Sequence, residues 1–202
     1  MRWSGLVTLL TCCLVAAGCA TTITGSAVPA PAGTSTNSAT PACAGGSMIQ
    51  PKNAPYCFEL PAGFIDITDN VTLQYQSANP GRYVSAIDIA RLDTITVSIY
   101  PLRADSDPLP VDFLATQIQH ALPNPATTGI TAGQPDTTTT LDGARTVRIS
   151  VNKPGSYSST VYFAFRGYTE LELDCQWAQH QTDVDRGCAA VRDTLHFVDQ
   201  HH

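Results

Sequence analysis

Three carboxylates recur at every second position in the segment Glu170, Glu172 and Asp174, where they alternate with Leu171 and Leu173. Successive side chains of a β-strand point to opposite faces of the sheet, so the carboxylates are expected on one face and the leucines on the other. Carboxylates in this arrangement can bind a cation or act as an acid and base pair. The segment is therefore the first candidate for chemistry in this chain.

Arg145 and Arg148 lie on a nearby predicted strand with the same polar register, so the sequence favours a solvated stripe that these arginines partly balance. We group the carboxylates with Tyr162 as a candidate recognition surface, since tyrosine joins an apolar ring to a polar hydroxyl. Four further tyrosines either extend this patch or sit half-buried at sheet edges: Tyr75, Tyr83, Tyr100 and Tyr157.

The sequence predicts no catalytic residue. It contains no G-x-S-x-G, no H-E-x-x-H, no Walker loop and no dinucleotide fingerprint. His196 is the one histidine in a patterned element, and its alternation with Leu195 and Phe197 places it on the surface. We expect a protein that is not an enzyme and has no cofactor. No metal site is expected either, because neither C-x-x-C nor paired-histidine spacing occurs.

The N-terminus has the pattern of an export signal. Arg2 precedes a short apolar run over residues 6–15, which is too short to span a bilayer as a mature helix. Small residues then lead directly to Cys19, a junction that resembles the bacterial lipobox, although Ala16 replaces the usual leucine. We predict a signal peptide over residues 1–18 and lipidation of Cys19 by diacylglycerol and acyl chains. The alternative is an ordinary secretory peptide with Cys19 a bystander.

Residues 19–51 are predicted to form a tether. Thr, Ser, Ala, Gly and Pro dominate them, and no Asp, Glu, Lys or Arg occurs between Arg2 and Lys52. Such a segment buries too little apolar surface to offset its ordering entropy. We assign residues 52–198 to one folded domain and 199–202 to a frayed terminus. The formal net charge of -6 excludes a nucleic-acid partner, because phosphate binding needs a basic surface.

Four of the seven cysteines are predicted to form two disulfides in an exported protein, and three pairings are open to them. Cys175 belongs to the apolar face of the strand that carries Leu171, Leu173 and Trp177. Cys188 shares an apolar helical stripe with neighbours such as Val184. We therefore predict a Cys175–Cys188 bond and, by elimination, a Cys43–Cys57 bond.

The periodicity of the domain predicts an α+β fold with a mainly antiparallel sheet and flanking helices. Strands are expected over residues 58–60, 64–68, 86–90, 94–100, 147–151, 161–165, 168–177 and 195–197. A first helix is expected after an Asp107 cap with Pro108 in its first turn, and a second over 183–194 after Thr182. The turn Leu141-Asp142-Gly143-Ala144 predicts a hairpin.

Three segments together resemble a known family: residues 58–64 (Phe-Glu-Leu-Pro-Ala-Gly-Phe), residues 165–167 (Phe-Arg-Gly), and the ending from Cys175 through Cys188 to Leu195-His196-Phe197. They resemble the LpqN-type lipoproteins of mycobacteria and related actinobacteria, which look like members of the PsbP-like superfamily of α/β/α sandwiches. The resemblance implies an envelope-attached protein with a binding or assembly role, and it carries over no catalytic residue.

These observations lead us to expect a non-enzymatic binding or assembly module on the outer face of the plasma membrane, held there by the acyl chains on Cys19. Its partner would be an envelope protein or a glycolipid. The alternative is a lipid or glycolipid carrier, and an envelope hydrolase comes third. A carrier needs a cavity, whereas the bulky residues Phe163, Phe165, Leu171, Leu173 and Trp177, interpreted as one inward set, predict a filled core.

Overall fold

The structure is a computed structural model that describes residues 43–70 and 83–198. Cys19, residues 1–42, Tyr75 and the terminus at 199–202 lie outside the described residues. The strands are β1 (Met48–Ile49), β2 (Tyr56–Glu59), β3 (Ile65–Asp66), β4 (Tyr83–Ala90), β5 (Asp93–Pro101), β6 (Thr131–Ala132), β7 (Thr140–Leu141), β8 (Ala144–Lys153), β9 (Tyr157–Arg166), β10 (Thr169–Trp177) and β11 (His196–Phe197). The helices are α1 (Val111–Ala121), the single turn α2 (Pro125–Thr128) and α3 (Gln181–Thr194), with a 3-10 turn over Thr68–Asn70.

The described strands form two antiparallel sheets. The larger has eight strands in the order β3-β4-β5-β10-β9-β8-β6, with β7 paired to β8, and the smaller has the order β1-β2-β11. β10 lies between β5 and β9, so a strand late in the chain completes the centre of a sheet begun by the β4–β5 hairpin. The predicted α+β fold with a mainly antiparallel sheet is confirmed.

The predicted hairpin between β7 and β8 is present. Asp142 and Gly143 take φ values of 45° and 73° at its turn. Two successive positive φ angles fit the right-handed twist of the flanking strands, and Asp followed by Gly tolerates them best. This local chemistry fixes the register in which Leu141 faces Ala144.

Helices cover both faces of the large sheet. α3 and the small sheet lie on one face, where Val184, Cys188 and Val191 join Leu171 and Leu173 in a buried core. α1 lies on the other face and forms a second core, whose members are Leu114, Ala115, Ile118, Val147, Ile149 and Phe165.

The two-sided packing corrects the single inward set expected from the sequence. Phe163 is directly opposite Glu172 in the β9–β10 ladder, and Phe165 is opposite Glu170. Both phenylalanines therefore lie on the α1 face, whereas Leu171 and Leu173 lie on the α3 face. The prediction was wrong because strand alternation reveals two faces but not which of them is buried, and here helices cover both.

Both predicted disulfides are present. Cys175 and Cys188 join β10 to α3 with their Cα atoms 6.0 Å apart, and Cys43 and Cys57 are bonded with a Cα separation of 5.8 Å. The second bond lies partly in the segment assigned to the tether, as does β1, which pairs with β2. The boundary at residue 52 is therefore too late, because main-chain pairing and a disulfide fix residues upstream of it.

Both helix starts differ from the expectation. α1 begins at Val111 after Pro110, and Asp107 instead accepts the Gly167 N–H at 2.9 Å. α3 begins at Gln181, and no side-chain cap bonds its first turn. A carboxylate from another element holds the turn before α3. Asp93, at the start of β5, accepts the N–H groups of Ala178, Gln179 and His180 at 2.8 to 3.0 Å.

Candidate functional site

A large cleft opens between α1 and the centre of the large sheet. α1 packs on β8 and β9, where Leu114 and Ile118 contact Val147, Ile149 and Phe165. The space between this helix and β10 has a volume of about 1240 Å³. Ligand clefts in proteins usually measure about 300 to 1,000 Å³, so this one is large enough for a molecule the size of a lipid.

Apolar side chains form most of the walls of this cleft. Phe113, Gln117 and Ala121 stand at successive i, i+4 positions of α1 and line one side, and Phe113 is 48% exposed there. Further apolar lining comes from Leu102, Leu109, Leu122, Ile130, Val151, Val161, Phe163 and Phe165. These apolar walls are exposed in the open cleft. A ligand that covers them removes apolar surface from water, which favours binding.

The three carboxylates identified in the sequence lie together on the floor of the cleft. Glu170, Glu172 and Asp174 are half-buried and project from β10 on the face that α1 covers in part. The Oδ1 atom of Asp174 has less than 1 Å² of exposed area and no hydrogen-bond partner among the described residues. A buried carboxylate oxygen without a donor is costly, so this oxygen destabilises the ionised form of Asp174 in the folded domain.

Burial raises the pKa of all three carboxyl groups. Burial and then the neighbouring charges of Asp174 and Glu170 raise the pKa of Glu172 to about 7. Burial raises the pKa of Asp174 to about 6, against the opposing effect of a hydrogen bond with Ser159. Burial also raises the pKa of Glu170 above its ordinary value. Close to neutral pH the stripe therefore holds a mixture of protonated and ionised carboxyls.

The solvated stripe balanced by arginines is not what the structure shows. Arg145 donates to the main-chain carbonyls of Leu109 and Ser106 and lies 3.7 Å from Asp107. Arg148 pairs with Asp136 at 3.1 Å. In the register, Arg148 stands opposite Tyr162, which puts it on the other face of the sheet. None of the ion pairs among the described residues involves the three carboxylates.

The structure also separates Tyr162 from the carboxylates. Tyr162 is paired with Leu173 in the β9–β10 ladder and is therefore on the α3 face. It is only 5% exposed, and the Arg192 guanidinium lies 4.9 Å above its ring. The grouping of Tyr162 with the recognition surface was wrong, because one residue along a strand reverses the face.

Two other tyrosines do reach the cleft. Tyr100, opposite Glu170 on β5, and Tyr157, at the start of β9, both line it. Burial and the charge of Asp174 raise the pKa of Tyr157 above its ordinary value. The residues that sequence analysis missed are those of α1. The exposed apolar residue Phe113 in an amphipathic helix was the signal that could have identified them.

The histidines in the described part lie outside this cleft. His180 bonds Asp93 at 2.9 Å, and His196 lies 3.5 Å from Asp142, so both have structural partners at turns.

Across residues 43–70 and 83–198, no group of three His, Cys, Asp or Glu side chains is arranged to hold a metal ion. In the same residues no helix is long and apolar enough to cross a membrane. A smaller depression of about 560 Å³, between the ends of β9 and β10 and lined in part by Lys153 and Trp177, contains none of the three carboxylates.

Neither a protein-family model nor a curated protein sequence matches the chain. Among solved structures, the solution structure of cyanobacterial PsbP (CyanoP) from Synechocystis sp. PCC 6803 is similar, with a TM-score of 0.46 and 15% sequence identity. The match covers 74% of this chain and 91% of the CyanoP chain. At this level the likeness concerns the fold and carries nothing about the site.

Proposed function

We propose that this chain is a cell-envelope lipoprotein of the LpqN type that binds a ligand of the envelope without transforming it, and that the cleft beneath α1 is its binding site. In this proposal the acyl chains on Cys19 hold the domain at the extracytoplasmic face of the membrane. The observation that supports it best is the cleft itself, which joins a volume of about 1240 Å³ to apolar walls.

The shape of the cleft favours a small or lipid-like ligand over a protein surface. Protein interfaces are commonly broad patches, whereas small-molecule sites are concave, mostly apolar and supplied with a few polar groups that orient the ligand. Here Phe163 and Phe165 provide apolar floor, and Glu172 and Asp174 provide polar groups beside them. This arrangement makes a bound envelope molecule a better occupant than a docked protein.

A lipid or glycolipid carrier is the second candidate, and the same cleft favours it. The filled core that counted against a carrier occupies only part of the α1 face, because Phe165 is buried in the core beneath α1 whereas Phe163 is partly buried and lines the cleft. A coil of about 30 residues has a root-mean-square span of roughly 30 Å. A tether of that length would let the domain receive a ligand near the membrane and release it farther out.

Mass spectrometry of molecules that co-purify with the protein tests the binding function. We compare the chain with Ala121→Trp, which adds an indole to the cleft wall, and with Ala189→Trp, which adds the same group to the exposed face of α3. Both alanines are exposed on helices, and only Ala121 lines the cleft. An envelope molecule should be retained by the native chain and by Ala189→Trp, and should be lost from Ala121→Trp.

Equal retention by the three proteins would mean that the ligand binds elsewhere, and would overturn the assignment of the cleft. A transfer assay separates the two candidates. A carrier moves its ligand between donor and acceptor vesicles in proportion to protein concentration, whereas a static binding module only depletes the donor.

A further inference from the structure

The polar groups of the cleft indicate which charge its ligand carries. We propose that the cleft selects an amphiphilic amine, whose ammonium group sits between Glu172 and Asp174, with Glu170 farther along the same strand face, while its apolar chain lies along α1. This inference rests on the proposed function, since it requires the cleft to be a ligand site, and it adds the chemical class of the ligand.

The first support is the unbalanced acidity of the floor. Three carboxylates line the cleft, whereas among the described residues its one basic side chain is Arg103, in the loop after β5. The other titratable side chains of the described lining are Tyr100 and Tyr157. The lining residues of α1 carry no charge at all. In the described part of the chain, no other charged side chain lines this floor.

The second support is the unsatisfied oxygen of Asp174. Its Oδ1 atom is buried and has no donor among the described residues, and the residue itself lines the cleft. A water molecule brings two O–H donors and a hydroxyl brings one, both without charge, whereas an ammonium group brings three N–H donors and a full charge. Once the Asp174 side chain turns this oxygen toward the cleft, an ammonium between Glu172 and Asp174 would satisfy it and remove the repulsion between these two carboxylates.

The third support is the continuity of charge with apolar surface. Phe163 is directly opposite Glu172 in the ladder and Val161 is opposite Asp174, so apolar side chains begin within one strand of the carboxylates. The apolar side of α1 at Phe113 continues this surface. A free metal ion or a polyamine would leave these walls exposed, whereas an amine with an alkyl chain covers both parts.

Titration calorimetry with three probes of equal chain length tests the inference: decylamine, the neutral N-decylacetamide and the anionic decanoate, each below its micellar concentration. The protein is the chain from residue 20, which omits Cys19, exported behind a signal that adds no lipid, so that the disulfides form and no acyl chain competes. At pH 8 decylamine should bind about tenfold or more tightly than N-decylacetamide, and decanoate should bind most weakly.

Two variants and a charge-matched control locate the effect. Asp174→Asn and Glu172→Gln should each reduce decylamine affinity about tenfold and leave N-decylacetamide affinity unchanged. Asp185→Asn removes an exposed carboxylate on α3 and should change neither. At pH 6.5 decylamine binding should release protons, seen as a dependence of the heat on buffer ionisation enthalpy, and the release should fall in both variants.

The outcomes separate this inference from the function on which it rests. If decylamine and N-decylacetamide bind equally, or the variants keep the preference for the amine, the inference is overturned while the cleft remains a ligand site. A lysine-containing peptide is titrated as a fourth probe, and its binding without binding of decylamine would overturn the inference in favour of a protein partner. If no probe binds, both the inference and the assignment of the cleft fail.

Discussion

At the scale of single residues, two buried aspartates in β-strands differ in whether their carboxylate oxygens have hydrogen-bond donors. Asp93 is fully buried at the start of β5 and receives three main-chain N–H groups and the His180 ring. Asp174 is buried at one oxygen and receives no donor there. The first carboxylate has its hydrogen-bond donors within the domain, and we infer that the second receives a donor when a ligand binds.

Glu172→Gln is expected to stabilise the domain at high pH. Burial and the two neighbouring carboxylates raise the pKa of Glu172 to about 7, above its value in the unfolded chain. The folded state therefore binds more protons between about pH 4 and 7, and this group lowers stability as pH rises through that window. Glutamine removes the penalty, so the free energy of unfolding should rise by about 2 kcal/mol at pH 8 and hardly change at pH 4.

Urea unfolding at the two pH values measures this effect, with Asp185→Asn as the control for loss of an exposed charge. Equal unfolding free energies for the native chain and Glu172→Gln at pH 8 would show that water solvates the floor of the cleft well.

Asp93→Asn is expected to have the opposite pH signature. Although burial alone would raise the pKa of Asp93, its main-chain donors and His180 hold that pKa well below the ordinary range. A lowered pKa gives stability that is present above the unfolded value of about 4 and is lost as pH falls further. The variant should lose about 2 to 3 kcal/mol at pH 7, and the loss should shrink at pH 3.

Asp66→Asn is the matched control for Asp93, because Asp66 is exposed and accepts the Thr68 N–H at 2.9 Å. Urea unfolding should show a much smaller change for it. A loss at Asp93 that is independent of pH would mean that shape rather than charge matters at this turn.

At the scale of elements, α3 can approach the sheet because Gly187 has no side chain. A Cβ atom built on Gly187 would lie 2.6 Å from Cζ of Phe64 and 3.1 Å from Cδ1 of Ile95. Both distances are shorter than ordinary van der Waals contacts between carbon atoms. The Phe64 ring is itself buried and has little room to move. The helix therefore packs on the sheet at this glycine, and the disulfide between Cys175 and Cys188 holds it at the next residue.

Gly187→Ala is therefore expected to destabilise the domain. Alanine favours a helix over glycine by up to about 1 kcal/mol, but overpacking a core costs about 1 to 3 kcal/mol, so the net loss should be about 1 to 2 kcal/mol. Gly46→Ala is the control, since no atom lies within 4 Å of its added Cβ. Thermal unfolding should show a lower midpoint for Gly187→Ala alone. A raised midpoint would mean that α3 shifts without cost.

Local chemistry explains which elements the sequence could predict. The alternation from Leu171 to Cys175 has the two-residue period of a strand, and Asp142-Gly143 fits a two-residue hairpin turn. Both elements could therefore be predicted from residues that are adjacent in the sequence. The partners of Cys175 and Cys188 followed from the same patterns.

Long-range placement explains what the sequence could not predict. The cleft exists because β10 pairs with β5, about 75 residues earlier, and because α1 packs on β8 and β9 at one side of that pair. No local pattern specifies either choice. The Asp107 cap failed for a related reason, because its carboxylate bonds Gly167 in a turn that is distant in the chain.

At the scale of the whole molecule, the proposed function needs the domain to be anchored at a membrane. Metabolic labelling with an alkyne fatty acid, followed by mass analysis of the N-terminal peptide, tests the anchor. The native chain should carry label on Cys19 and begin there, and Cys19→Ser should carry none. An unlabelled chain cut before another residue would indicate an ordinary secretory signal and contradict the lipoprotein proposal.

The most direct measurement of binding in the cleft is amide chemical-shift mapping of the labelled mature chain during titration with decylamine. We predict that the perturbed amides cluster on α1 around Phe113 and Gln117 and on the strands at Phe163 and Glu172, while α3 stays unperturbed. Perturbations centred on α3 or on the small sheet, with the cleft residues unchanged, would contradict the assignment of the cleft as the ligand site.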